Sequence, residues 1–199
     1  MTMPIIPRIY DSDYGASALR VELERVAATL KRVRYLRLSH LLMEGENPEI
    51  NADKKALESR LVQLGFRTEI GEALNELERK LRSATTALGL RDCVDSTRLI
   101  YEEIVEDSAR SASKATKRSL PPPGARDFVP WKNLLVNAGV LTEEEGDFFQ
   151  KLYNYLSNVG THRLGSAPEH VRLTKNVVIE VCLLLVGRLQ ALSANPASS

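Results

Sequence analysis

The chain has 199 residues, of which 43% are hydrophobic, and its 27 basic residues nearly balance 26 acidic ones. A chain of this length can bury a core of its own. Its net charge of +1 neither indicates nor excludes a nucleic-acid partner, so any basic surface must be local. Two cysteines, Cys93 and Cys182, provide neither a disulfide framework nor a metal-ligand spacing. No secretory signal is visible, and the longest apolar run, residues 177–186, is too short to span a membrane. The sequence therefore predicts a soluble cytoplasmic protein. No metal and no cofactor are expected.

Helical spacing of apolar residues accounts for almost the whole chain. Six or seven such segments are separated by glycine and proline, and none shows the alternation typical of a β-strand. In chain order, the predicted helices begin near Ser17, Ala52, Thr68, Arg91, Trp131, Glu143 and Ser166. Because the connections are short, the predicted fold is all-α, an antiparallel helical bundle.

Four parts are expected along the chain. Residues 1–15 form an irregular arm, and residues 16–85 form an N-terminal helical region. Residues 88–90 interrupt the helices, after which residues 90–192 form a C-terminal helical bundle, and residues 193–199 are a disordered tail. The first two parts are expected to be a layer attached to the bundle, because their apolar stripes need a partner and the connection is short.

Glycine and capping residues predict several helix ends. Gly65 is expected to end the second helix in the left-handed conformation, and Gly139 to close a later one. Thr68 is expected to cap the third helix. Thr142 with Glu145 has the spacing of a capping box, in which two unpaired N–H groups are satisfied reciprocally.

Two residues stand out inside apolar segments. Trp131 is the only tryptophan and is expected to anchor the core. Its expected partners are Leu134, Phe149 and Leu152. Glu180 interrupts an apolar run, and since an unpaired buried carboxylate is costly, a structural ion pair is expected. Its candidate partners are Arg98, Lys151, His162 and a second subunit.

The segment between the last two helices, LYNYLSNVGTHRLGS, contains the most reactive side chains. After a break expected at Gly160, His162 lies beside Arg163, and an imidazole there can donate, accept or relay a proton near neutral pH. Asn158, one turn earlier, can orient that imidazole or hold a phosphate. The structural alternative is that His162 only caps the carbonyl groups of the preceding helix.

Several stretches together resemble those of a known family. Ser157, Asn158 and His162 lie in SNVGTH with the spacing of a motif in which an arginine, usually followed by asparagine, precedes a histidine at the end of a core helix. NAGVLTEEEGDFFQKLYNYL is similar to the glycine-containing turn and acidic helix that lead into that motif. STRLIYEEI, with Arg98 and Glu102 one turn apart, looks like the first core helix. The family is the HEPN superfamily of helical bundles, which includes ribonuclease toxins, phage-defence proteins and non-catalytic nucleotide- or RNA-binding members.

The resemblance covers about residues 90–192 and implies a metal-independent ribonuclease or an RNA-binding relative of one. It implies that His162 acts in acid–base transfer, with Asn158 beside it in the catalytic motif, and Arg163, the residue after His162, is expected to be the third catalytic residue. The family's catalytic arginine is replaced by Ser157, which can hydrogen-bond a phosphate but supplies no charge. Arg163 is therefore expected to provide the charge for RNA.

The same resemblance implies a homodimer in which two copies of the motif face each other. Tyr153, Asn154 and Tyr155 share the helix with the motif and are expected to offer a semi-polar interface. The partners implied are RNA and a protein of a phage-defence or toxin–antitoxin system. A different class of function is a non-catalytic helical adaptor that mediates dimerisation or protein assembly, which the loss of the arginine favours.

A second candidate RNA-binding surface lies in the first predicted helix. Its basic residues can follow a phosphate backbone, although a run of basic residues equally suits a solvated helix face. The residues expected to bind nucleic acid there are Arg32, Arg34 and Arg37, accompanied by Arg25, Lys31, Tyr35 and His40.

Overall fold

The computed structural model describes residues 48–122, 128–161 and 168–194 of the chain. Within these residues the structure is helical and contains no strand, which confirms the predicted all-α bundle. The helices are α1 (Pro48–Gln63), α2 (Thr68–Ser83), α3 (Ala87–Thr116), α4 (Phe128–Asn137), α5 (Glu143–Thr161) and α6 (Pro168–Ala194). The predicted arm, the first predicted helix and residues 195–199 lie outside the described residues.

Both glycine helix ends are confirmed. Gly65 has φ 69° and Gly139 has φ 73°, in the left-handed region. At each site the next residue donates its N–H back across the last turn, from Phe66 to the carbonyl of Leu61 and from Val140 to that of Leu135, both at 3.0 Å. These bonds satisfy carbonyl groups that a helix end otherwise leaves unpaired.

The capping predictions have mixed outcomes. The Thr142 N–H donates to the Glu145 carboxylate at 2.9 Å, and the Glu145 N–H donates to the Thr142 hydroxyl at 3.3 Å, so the capping box is confirmed. The Thr68 prediction is wrong, because Thr68 is the first residue of α2 and Arg67 occupies the cap position without a side-chain cap bond. The Arg67 side chain instead donates to Asp107 at 3.0 Å, which ties the start of α2 to α3.

Three helices begin earlier than predicted. The break expected at residues 88–90 is wrong, since α3 starts at Ala87, and the Thr86 hydroxyl accepts the Gly89 N–H at 3.1 Å as a cap. Pro48 is the first residue of α1, and Pro130 lies in the first turn of α4. A proline is well tolerated there because the N–H that it lacks has no partner in a first turn.

Contacts between helices give the direction of each one. Two contacts between neighbouring helices do so: Arg67–Asp107 with Lys80–Cys93, Tyr101–Phe128 with Arg110–Trp131, Phe128–Tyr153 with Lys132–Gly146, Tyr155–Thr174 with Glu145–Arg188, and Arg60–Leu183 with Gln63–Gln190. They make α1, α3, α4 and α6 run one way and α2 and α5 the other. The end of α5 therefore lies at the same end of the bundle as the starts of α3 and α6. We call this the α5–α6 end.

The core is organised around Tyr101 on α3. Its side chain is fully buried, and its ring lies 5.3 Å from that of Phe128 and 5.9 Å from that of Phe149. Its hydroxyl donates to the Phe149 carbonyl at 3.1 Å, and burial holds the pKa of that hydroxyl well above its usual value. Tyr101 therefore fixes α3 against both α4 and α5 near the middle of the bundle.

The apolar run in α6 is buried, as predicted. Val181, Cys182 and Leu185 have no exposed surface, and Cys93 and Cys182 are both buried free thiols. From His170 to Ala194, α6 is also long and apolar enough to cross a membrane by length and composition, and half of the apolar window is buried within the bundle. A core helix of a soluble protein passes the same test, so the run by itself does not make α6 a membrane span.

Candidate nucleic-acid interface

The last turns of α5 place the described part of the predicted motif. Leu152 and Leu156 are buried along α5 and hold it on the core. Ser157 is half-buried, and Asn158 is exposed. The helix continues one residue past the expected break at Gly160, so this part of the motif is presented from a helix. Asn158 thus lies on the surface at the α5–α6 end.

Five of the predicted site residues lie outside the described residues. They are His162, Arg163, Arg32, Arg34 and Arg37. The structure describes the two helix ends between which His162 and Arg163 occur, since α5 ends at Thr161 and α6 begins at Pro168. The roles predicted for these residues stay predictions.

Arg98 and Glu102 on α3 form an ion pair with each other. The guanidinium of Arg98 donates to the Glu102 carboxylate at 2.6 Å, across one helical turn. Both side chains are about one quarter exposed, so the pair is accessible at its edge. Because the two charges offset each other, this pair supplies no net positive charge for a phosphate. Its predicted structural role is consistent with that geometry.

Glu180 is buried on α6, with 8% of its surface exposed. Among its expected partners, Arg98 is hydrogen-bonded to Glu102, Lys151 is exposed, and His162 lies outside the described residues. Its burial in the core helix is compatible with the structural role that the sequence predicts.

The tyrosines of α5 take part in the packing of the chain itself. The ring of Tyr153 stacks on Phe128, with 4.5 Å between centroids and 8° between planes. The Tyr155 hydroxyl is hydrogen-bonded to Thr174, and burial raises its pKa despite that bond. Asn154 is exposed and accepts a hydrogen bond from Gln150 at 3.0 Å. Both tyrosines are half-buried, so late α5 still offers accessible tyrosine surface beside the exposed asparagines, and the interface expected there stays a prediction.

Sequence reasoning missed a charged cluster that joins α1, α2 and α6. The Lys54 ammonium donates to Asn75 at 2.8 Å and to Glu78 at 3.2 Å, while Lys175 donates to the other oxygen of Glu78 at 3.0 Å. Burial alone would raise the pKa of Glu78, but Lys175 and Lys54 lower it below its usual value. These residues are far apart in the chain, so no spacing rule reveals them. The cluster fixes the first half of α6, and thereby one side of the α5–α6 end.

The fold and this site define a helical-bundle protein with a polar surface at the α5–α6 end. Across the described ranges, no group of three or more histidine, cysteine, aspartate or glutamate residues is arranged to hold a metal ion. Comparison of the chain with protein-family models, with curated proteins and with solved structures finds no match. Any assignment more particular than the all-α bundle is therefore a proposal.

Proposed function

We propose that this is a cytoplasmic HEPN-like protein that binds RNA at the α5–α6 end, through Asn158, His162 and Arg163. The observation that carries the proposal is the position of Asn158. It is exposed on a helix anchored to the core, four residues before the histidine and at the end of the bundle where that helix stops. An amide can donate to a phosphate oxygen or a sugar hydroxyl, which are the commonest protein contacts to a nucleic-acid backbone.

Binding is better supported than cleavage. Charge stabilisation is often the largest catalytic contribution, and the family's arginine position holds Ser157, which is half-buried and uncharged. The Arg98 guanidinium is already paired with Glu102. A ribonuclease step would therefore depend on Arg163 for charge and on His162 for proton transfer. The biological setting that we propose is phage defence or a toxin–antitoxin pair.

An asparagine pair on α5 tests the RNA proposal. We expect Asn158→Asp to weaken binding of a labelled single-stranded RNA at least tenfold, because a carboxylate there repels phosphate. Asn154→Asp is the matched control, since it places the same charge one turn earlier on the same exposed surface and is expected to change affinity less than threefold. Fluorescence anisotropy at fixed salt measures both. Equal affinities for the two variants would contradict a site centred on Asn158.

A second candidate function, the non-catalytic adaptor, is favoured by exposed apolar residues on α3. Leu88 and Leu99 are 67% and 51% exposed. They are eleven residues apart, which is three helical turns, so they lie on the same face of the helix. Asp92 and Asp95 lie between them on that face, so a partner docked there would meet two apolar side chains and two carboxylates.

The proposed homodimer and this α3 face are tested together by light scattering. At micromolar concentration we expect a mass twice the 22.2 kDa of one chain. Leu88 lies at the start of α3 and so at the α5–α6 end, whereas Leu99 lies near the middle of α3. A dimer that persists in Leu99→Arg therefore places the contact away from the middle of the α3 face, as a dimer across the α5–α6 end requires. A dimer lost in that variant supports the adaptor surface instead. A wild-type mass of 22.2 kDa contradicts the homodimer.

A further inference from the structure

A cleft of about 510 Å³ lies at the end of the bundle opposite the α5–α6 end. It is bounded by the turn that follows α3 and by one face of α4. Its polar lining includes the cations Lys117 and Arg118 and the amides Asn133 and Asn137, and among the described residues no carboxylate lines it. The electrostatic character of this cleft therefore favours an anion, and its volume is in the range of small-ligand sites.

The cationic side of the cleft is held in place by Ser113. The backbone N–H groups of Lys117 and Arg118 both donate to the Ser113 carbonyl, the second at 3.1 Å. The Ser113 hydroxyl donates to the Arg118 carbonyl at 2.6 Å. Lys117 has φ 55°, a left-handed conformation that glycine adopts at lower cost than lysine. A charged residue thus occupies a position where the backbone alone would favour glycine.

The other side of the cleft is a face of α4. Asn133 and Asn137 are both exposed and lie one helical turn apart. The lining also contains apolar side chains. Those that line the cleft include Leu120, Pro121, Pro130 and Leu134. The cleft is therefore lined by apolar side chains together with two amides and two cations.

We propose that this cleft binds a nucleotide, either free or as one unit of a single-stranded RNA. Lys117 and Arg118 hold the phosphate, as cations at phosphate sites do. The flat base packs on the proline and leucine side chains, while Asn133 and Asn137 bond to its polar edge. The inference stands apart from the function proposed above, because it concerns other residues at the opposite end of the bundle.

The test compares two probes, labelled AMP and a labelled ten-nucleotide single-stranded RNA, by fluorescence anisotropy. The variant is Lys117→Gly/Arg118→Gln, in which glycine removes a charge and suits the left-handed backbone, so folding is preserved. The control is Lys55→Gln/Arg79→Gln, which removes the same charge from exposed positions outside the cleft. We expect the cleft variant to lose at least tenfold in affinity for one or both probes, and the control less than threefold.

The pattern of loss identifies the source of the nucleotide. A loss seen with AMP indicates a free nucleotide, and a loss confined to RNA indicates a polynucleotide. Asn158→Asp is expected to leave AMP affinity unchanged, which separates this cleft from the site proposed above. The inference is overturned if neither probe binds, if the control loses as much as the cleft variant, or if Asn158→Asp loses as much AMP affinity as the cleft variant.

Discussion

Replacing Arg188 with methionine is expected to lower the free energy of unfolding by about 3–5 kcal/mol, the loss typical of removing one partner of a buried ion pair. Glu145 is 2% exposed, and the two terminal guanidinium nitrogens of Arg188 donate to its two carboxylate oxygens. Arg188 also donates to the Val140 carbonyl at 3.2 Å. Methionine keeps the apolar length of the side chain, so the loss reports the stranded carboxylate. Urea denaturation at pH 7 measures it.

The control for Arg188 is Arg79→Met. Arg79 pairs with Glu76, but the Arg79 side chain is 78% exposed, so its removal is expected to cost less than about 1 kcal/mol. If Arg188→Met lowered the free energy of unfolding no more than the control does, the Glu145–Arg188 pair would not be a major source of stability.

The loss at Arg188 is also expected to depend on pH. Burial alone would raise the pKa of Glu145, but hydrogen bonds from Arg188 and Thr142 hold it below its usual value. In the wild type, the ionised Glu145 stabilises the fold above the unfolded-state carboxylate pKa of about 4.3. This stabilisation is lost as pH falls through the lower pKa of Glu145 in the folded state. Without Arg188, burial raises the folded pKa, so the variant gains stability on protonation. The difference in free energy of unfolding between the wild type and Arg188→Met should therefore become smaller as pH falls from 7 to below about 4.

Replacing Trp131 with alanine is expected to lower the free energy of unfolding by about 3–5 kcal/mol, as for other large buried aromatics. The ring is 9% exposed and lies in the same core as its predicted partners, which are Leu134, Phe149 and Leu152. The Arg110 guanidinium covers its outer face, 5.1 Å from the ring centroid. Because the variant lacks the only tryptophan, circular dichroism should follow its unfolding.

Val129→Ala is the matched control on the same helix. Val129 is 44% exposed, so the loss expected there is less than about 1 kcal/mol. A similar small loss for Trp131→Ala would show that the ring packs only at the edge of the core.

The sequence predicts those parts of the fold that depend on residues close together in the chain. Helical periodicity indicated the all-α bundle, while Gly65, Gly139 and the Thr142–Glu145 pair marked helix ends that backbone geometry alone determines. The errors at Thr68 and residues 88–90 arose because several residues near a helix start can serve as its cap, and packing selects among them. Arg67 is drawn to Asp107, which lies forty positions further along the chain.

The candidate site could be predicted only in part for the same reason. The Arg98–Glu102 pair was foreseeable, because residues four apart on a helix meet. The packing of Tyr153 on Phe128 was not, since a tyrosine at a given helical position can face either a partner or its own core. The cluster around Glu78 joins three helices, and only the assembled bundle brings its lysines together.

An RNA site at the α5–α6 end is tested most directly with the variant His162→Ala/Arg163→Ala. Its affinity for single-stranded RNA is measured beside that of the wild type by fluorescence anisotropy. Arg32→Ala/Arg34→Ala serves as the comparison, because it removes charge from the other predicted RNA surface. We expect at least a tenfold loss of affinity for the first variant and a smaller loss for the second. Unchanged affinity in the first variant, with a large loss in the second, would contradict an RNA site at the α5–α6 end.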